Sequence, residues 1–299
     1  MALGPEHEPK TPIEPRRPLR SLVMHTQASK IGEWTRIEVL VTVKAYPSIS
    51  TKYGEAICVA GVRLDSAKLQ WVRLFPVPFR DLPLSKQFGK YEIITLRACR
   101  HSTDRRAETW RPDVESIERG PMLPAGGAWL ARRPHLEPLI GPTMCDLHPG
   151  RKGGGAGPSL GLVRPARIRS IRVEPESEWS PGQLGVAGQQ NLLTHKSQLV
   201  KPGHAFSYSY LCASPGCKGH VQKIVDWELG EAYRTWSPHG DELVAMIRRR
   251  WLDDMCHEKR ETMFFVGDQH TRPGKFLVLG TFYPERRPNE HQLTLDLAA

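Results

Sequence analysis

Between residues 35 and 100, apolar and polar positions alternate in short runs, and a period of two is the mark of strands with one buried face. Thr35–Ala45 (TRIEVLVTVKA) reads as such a strand, ended by Pro47 and the serines beside it. Glu55–Leu64 (EAICVAGVRL) and Leu69–Phe75 (LQWVRLF) flank Asp65–Lys68 as a hairpin, and Tyr91–Arg100 (YEIITLRACR) adds a further strand. With no convincing helix among them, these runs predict a small β-barrel or sandwich. Arg164–Glu174 (RPARIRSIRVE) is again strand-like, with Arg167 and Arg169 expected on one face. Thr262–Val266 and Lys275–Phe282 form a closing hairpin around GDQHTRPG. The best helix is Asp241–Glu258, whose Leu243, Val244, Ile247, Trp251 and Met255 share a side.

One segment reads two ways. As a helix, His220–Trp236 carries the stripe Val225, Leu229, Ala232 and Trp236, and Asp226 and Glu228 point apart; helix-favouring composition makes this the simpler reading. As a strand, Lys223–Leu229 would put the two carboxylates on one face.

These elements divide the chain into a proline-rich disordered leader (1–34), a first barrel with a basic insertion (35–174) and a linker or long loop (175–203). A second β-containing domain with the helix (204–284) and a tail (285–299) follow.

Composition narrows the partners. The 299 residues, 39% hydrophobic, contain no apolar run long enough to span a membrane, and residues 1–20 hold five prolines where a signal peptide would be apolar. A cytoplasmic protein with no membrane partner is expected. Its six cysteines, at 58, 99, 145, 212, 217 and 256, are then thiols or metal ligands rather than disulfides. A net charge of +10 favours a polyanion, and Leu130–Val173 concentrates eight basic residues against two acidic ones. Within it Arg132, Arg133, Arg164, Arg167, Arg169 and Arg172 are candidates for phosphate contact. Arg106, Trp110 and Arg111 combine cations with an aromatic suited to base stacking. The GGGAG run at 153–157 is followed by no Lys-Ser/Thr and reads as a flexible loop, not a nucleotide-binding one.

Cys212, Cys217 and His220, spaced Cys-x4-Cys-x2-His around Pro215-Gly216, offer three ligands to a structural Zn2+. A fourth must come from Cys256, His257, His239, His204 or His270, or from water. A buried cysteine above a metal-free turn explains the same residues without an ion. An enzymatic alternative makes Asp226, Glu228 and His270 the catalytic set of a Mg2+- or Mn2+-dependent nuclease or phosphodiester hydrolase.

The stretches KYGE…CVAGVRLD…WVRLFPVPFRDLP, YLC…CKGHVQKIVDWELG and MFFVGDQHTRPGKFLVLGTFYP resemble the dual OB-fold domain family of bacterial and phage-conflict gene neighbourhoods. That resemblance implies a mainly β fold with some α, built as two small OB-like β-barrel domains plus a C-terminal amphipathic helix and hairpin. It also implies nucleic-acid sensing or binding, as an accessory or sensor component of a bacterial defence or nucleic-acid-processing system, and it identifies no catalytic residue. A non-catalytic interaction subunit, working with a protein partner encoded nearby, is a further alternative.

Overall fold

Strand β1 (Thr35–Lys44) is buried on both faces, which only a strand at the meeting of two cores can be. Ile37, Val39 and Val41 point into one core, while Leu40 and, past a bulge between Val41 and Val43, Val43 enter another. This computed structural model describes residues 32–287 apart from 51, 105, 149–156 and 187–198. The expected leader up to 31, residues 153–156 of the glycine-rich run, linker residues 187–198 and the tail from 288 lie outside the described residues.

The first half of β1 pairs with β5 (Glu92–Arg100) and the second with β3 (Gly54–Arg63). β3 pairs with β4 (Gln70–Val77), β4 runs parallel to β6 (Thr109–Met122), and β6 returns to β5. This closes a five-stranded barrel, with the short β2 (Ser48–Ser50) at the edge of β3. Its interior holds Val59, Leu74, Ile94, Leu96 and Trp110. β6 occupies a stretch that reads from sequence as a polar connector, because beyond Trp110 and Pro112 most of its residues face solvent.

The second barrel repeats the topology. β7 (Leu160–Val163) and β8 (Pro165–Pro175) are one strand bent at Arg164; β7 pairs with β11 (Met263–Gln269) and β8 with β9 (His204–Cys212). β9 pairs with β10 (His220–Lys223), and β12 (Arg272–Phe282) pairs with β11. A parallel bridge between Ile224 and Val278 joins the two three-stranded sheets where β4 and β6 meet in the first barrel. Both halves therefore follow the five-stranded Greek-key order of an OB-fold. The basic run 164–174, expected in the first barrel, is the first strand of the second, and the described residues 176–186 and 199–203 fall between β8 and β9 of that barrel.

Neither reading of His220–Trp236 holds throughout. The segment is strand β10, then a turn, then helix α2 (Trp227–Trp236) capped by Asp226; the short helix α1 (Met144–Leu147) precedes β7. Helix α3 (Glu242–Arg248) continues as a wider π-helical turn, Arg249–Asp254. Leu243, Ile247, Trp251 and Met255, each four apart, thereby stay on one face and close the second barrel.

The barrels are fused by a third core. Leu40, Ala60 and Val62 of the first meet Leu160, Leu162, Met263 and Phe265 of the second, with the Trp71 and Phe265 rings edge to face at 6.1 Å. At its polar end Arg73, 1% exposed, donates to the Ser159 hydroxyl at 2.8 Å and carbonyl at 2.9 Å. The Glu108 carboxylate accepts from the Ser159 amide and hydroxyl, and Arg106 bridges Asp104 and Asp268. At the other end buried Lys90 lies 3.5 Å from Asp226 and 3.1 Å from Glu228. Burial works against its charge, but the two carboxylates raise its pKa; burial also pushes Asp226 up to about 6.

Phe265→Ala is expected to cost about 3–5 kcal/mol and to shift one cooperative urea transition. Two separated transitions, only one of them moved, would contradict a fused core. Burial disfavours the Asp104 charge, but hydrogen bonds from Arg106 hold its pKa below the ordinary carboxylate range. That contribution is complete above about pH 4 and is lost as pH falls further. The stability gap between wild type and Arg106→Met should therefore narrow below about pH 4, and a constant gap would refute the linkage.

Candidate metal centre and nucleic-acid face

Cys212 ends β9 and His220 opens β10, so pairing of the two strands brings them together across a tight turn. Gly216 and Gly219 sit at φ 71° and 102°, conformations that side chains rarely adopt, and let Cys217 fold back beneath the turn. Fourth is Cys145, in the first turn of α1. Thr143 and Asp146 cap that helix reciprocally, and the Thr143 hydroxyl meets the Ser214 hydroxyl at 2.5 Å, tying α1 to the turn.

His220 Nε2 lies 3.4 Å from Cys212 Sγ, 3.3 Å from Cys217 Sγ and 3.6 Å from Cys145 Sγ, and the two nearer sulfurs are 3.5 Å apart. Ligands about 2.0–2.3 Å from a tetrahedral ion are separated by about 3.5–3.8 Å, so these four side chains fit one. Burial works against the Cys212 thiolate, but the Ser214 amide and the His220 ring hold its pKa at about 5. Burial and the neighbouring sulfurs push Cys145 up to about 11, and a bound cation would displace that proton. Among the described residues this is the one cluster of metal-binding type.

Three of the expected distant donors are engaged elsewhere, and neither His239 nor His257 belongs to the cluster. Cys256 donates to the Trp251 carbonyl, His204 pairs with the Tyr233 hydroxyl, and His270 lies 3.5 Å from Asp104. Cys145 stands 67 positions before Cys212, and the only local hint of its role is the capping pattern of Thr143 and Asp146.

Asp226, Glu228 and His270 do not assemble into a metal site. Asp226 caps α2, Lys90 lies between the two carboxylates, and His270 belongs to the Asp104 network at the opposite end of the seam. The carboxylate pair is thus part of an ion cluster in which Lys90 and Asp226 are buried and Glu228 faces solvent.

The arginine candidates separate into two groups. Arg106 is held by Asp104 and Asp268. Arg132 lies over the Tyr91 ring at 3.9 Å, and Arg133, 1% exposed, bonds Glu137, Glu261 and the Glu285 carbonyl. Trp110 is inside the first barrel with Arg63 and Arg100 over its ring. These four hold the fold together. Arg111, Arg164, Arg167, Arg169 and Arg172 are exposed and form no ion pair with a described residue.

On β8 a bulge at Arg169 changes which residues share a face. Ile168 and Ile171 stand opposite Tyr210 and Tyr208, all turned inward, so Arg167, Ser170 and Arg172 face outward together. Arg167 and Arg169 do not alternate as a regular strand would have them; Arg169 instead leans toward the Gly219 turn of the metal centre. Across the sheet run the rows Arg172–Ser207–Lys223 and Ser170–Ser209–Val221. Serines form the floor of a face edged by cations, and Val221 is 49% exposed on it.

Two family models match, both described as domains of unknown function: DUF8758 over residues 35–138 and DUF8757 over 141–297. The chain belongs to the DUF8757 family. The two matches meet between the barrels, as the topology does. No curated protein matches the chain. Among solved structures it is similar to a murine DNA-binding protein bound with double-stranded DNA, at 10% identity over 85% of this chain and 98% of that one, TM-score 0.29. It is also similar to the Ifi202 HINa domain in complex with a 20-base-pair duplex, at 9% identity over 85% and 97%, TM-score 0.32. With the p204 HINb domain it shares 8% identity over 83% and 95%, TM-score 0.29. At these values the likenesses are remote.

Cys145→Ser is expected to abolish stoichiometric binding of a thiophilic divalent ion as fully as Cys217→Ser, measured by elemental mass spectrometry, and to lower the melting temperature. Cys256→Ser should retain the ion. Undiminished metal in Cys145→Ser would remove it from the centre.

Proposed function

We propose that this DUF8757 protein binds single-stranded nucleic acid on the outer β8–β9–β10 face of its second barrel, with a structural zinc ion holding the β9–β10 turn. The observation that carries this reading is which of two equivalent faces is free. OB-folds engage oligonucleotides mainly on the outer face of their second and third strands. In the first barrel that face is β3–β4, and its Val62, Trp71 and Arg73 are buried or packed against the second barrel. In the second barrel the equivalent face is β9–β10.

The face has suitable chemistry. Arg167 and Arg172 present guanidiniums to one side, and Lys218 extends exposed from the metal-centre turn near Arg169. A cleft of about 490 Å³ follows the outer edge of β8 and is lined by both Arg172 and Arg248. Aromatics are few on the sheet itself, so backbone phosphates dominate and binding is sequence-tolerant and salt-dependent. The family resemblance of the sequence extends the reading to an accessory or sensor role in a bacterial defence or nucleic-acid-processing system. There it acts in the cytoplasm beside a protein partner encoded nearby. The zinc is structural, because three thiolates and an imidazole leave no position for a reacting water.

Arg167→Ala with Arg172→Ala is expected to lower affinity for a fluorescein-labelled single strand about tenfold or more at low salt. The slope of log K against log salt should fall by about 1.4, roughly 0.7 per lost phosphate contact. Arg133→Ala should destabilise the protein and leave the slope of the folded fraction unchanged. An unaltered affinity and slope in the double variant would sink the assignment of this face.

A further inference from the structure

At the end of the proposed face, where β9 begins and β10 ends, lies a cavity of about 260 Å³ between the barrels. Tyr46 from the first barrel, Phe206 from β9 and Trp179 from the loop before β9 line it with aromatic rings. The Tyr46 ring lies directly on Gly230 of α2, where any side chain would collide with it, and its hydroxyl donates to the Val200 carbonyl at 2.7 Å. This wall is therefore fixed in place. The Trp179 Nε1–H is buried and has no acceptor among the described residues, an arrangement that costs free energy unless a ligand supplies one. Lys201, 4.5 Å over the Trp179 ring, Lys223, whose ammonium is ion-paired with Glu176, and the carboxylates of Glu176 and Asp226 also line the cavity. Lys223 belongs equally to the row Arg172–Ser207–Lys223, so cavity and face are continuous.

An aromatic-walled space with one N–H donor unanswered among the described residues, the Lys201 ammonium and the Glu176 carboxylate suits a planar heteroaromatic ring that carries both edge acceptors and edge donors. We infer that this cavity receives a single unpaired nucleobase, with an edge acceptor on the Trp179 N–H and its phosphate on Lys201. The inference rests on the nucleic-acid reading of the β8–β9–β10 face and makes that face a track leading one base into a pocket. The same chemistry is offered by a base within a strand and by a free nucleotide, and the two sources are separable.

The test uses the full chain, a short labelled single strand, the same strand with one abasic site moved along it, and free AMP and UMP. Anisotropy reports the strands and calorimetry the mononucleotides; Ala205→Phe fills the cavity, and Trp179→Phe keeps a ring but removes the donor. An abasic site at one position should weaken binding about tenfold, as expected for loss of one stacked base. Ala205→Phe should weaken the intact strand as much, add nothing to the abasic loss and leave the salt slope unchanged. If Ala205→Phe does not fold, Trp179→Phe decides, with a smaller loss confined to strands that carry the base. Salt-dependent strand binding that is blind to abasic position and to both variants overturns the pocket and leaves the face standing. Mononucleotide binding lost in Ala205→Phe, without strand binding, upholds the pocket for a free nucleotide and overturns the face.

Discussion

The seam between the barrels governs the rest of this molecule. Two OB-like barrels have two equivalent outer faces, and burying Val62, Trp71 and Phe265 between them removes one from solvent. The apolar part of the seam supplies most of its free energy, since each large side chain buried there is worth roughly 1.5–3 kcal/mol. Its polar part fixes the register. Arg73 donates to both oxygens of Ser159, and Glu108 accepts from the same residue, so a small slip would leave buried charges without partners. Gly267 belongs to the same requirement: a side chain there would run into Leu279, Leu160 and Arg73.

Charge is divided along the same line. Lys44 donates to the Phe88 carbonyl and lies over the Phe79 and Trp227 rings, where burial holds its pKa down at about 8, and Lys90 is enclosed by Asp226 and Glu228. Arg106, Arg132 and Arg133 are also used internally. Among the exposed cations that remain, Arg167, Arg169 and Arg172 of β8 have no described carboxylate partner. A net charge of +10 is thus a poor guide to a binding surface until the internally paired cations are subtracted.

Strands with regular alternation were legible from sequence: the β3–β4 hairpin, β5 and the β11–β12 hairpin are found within a few residues of their expected limits. Irregular strands were not. β8 places Ile168 and Ile171, three apart, in one core, which a strand achieves only with a bulge, and that bulge changes the partner of Arg167 from Arg169 to Arg172. β6 was hidden because so little of it is buried. Of the structural arginines, Arg133 had a signal in Glu137 four residues on, and Arg106 had one in Asp104, yet neither could be told from a solvated pair without the fold. Three of the four metal-centre side chains were read from their spacing. Cys145 was not, because it reaches the cluster through tertiary structure alone.

The position of Cys145 gives the metal centre a role distinct from that of the seam. Cys145 belongs to the segment that leaves the first barrel, whereas Cys212, Cys217 and His220 belong to the hairpin that carries the proposed face. One ion would therefore link the connection to the hairpin and close a loop of more than sixty residues, a constraint that acts chiefly on chain entropy. The seam needs no such link, since it is held by contacts on every strand that crosses it. The hairpin does, because β10 has only four residues and pairs along one full edge, while its other edge meets β12 through the single bridge at Ile224. A short strand with so few ladder bonds frays unless its turn is anchored, and frayed backbone cannot present Lys218, Arg169 and Lys223 at fixed separations. On this view the apolar seam decides which face is left open, and the metal centre keeps that face in one shape.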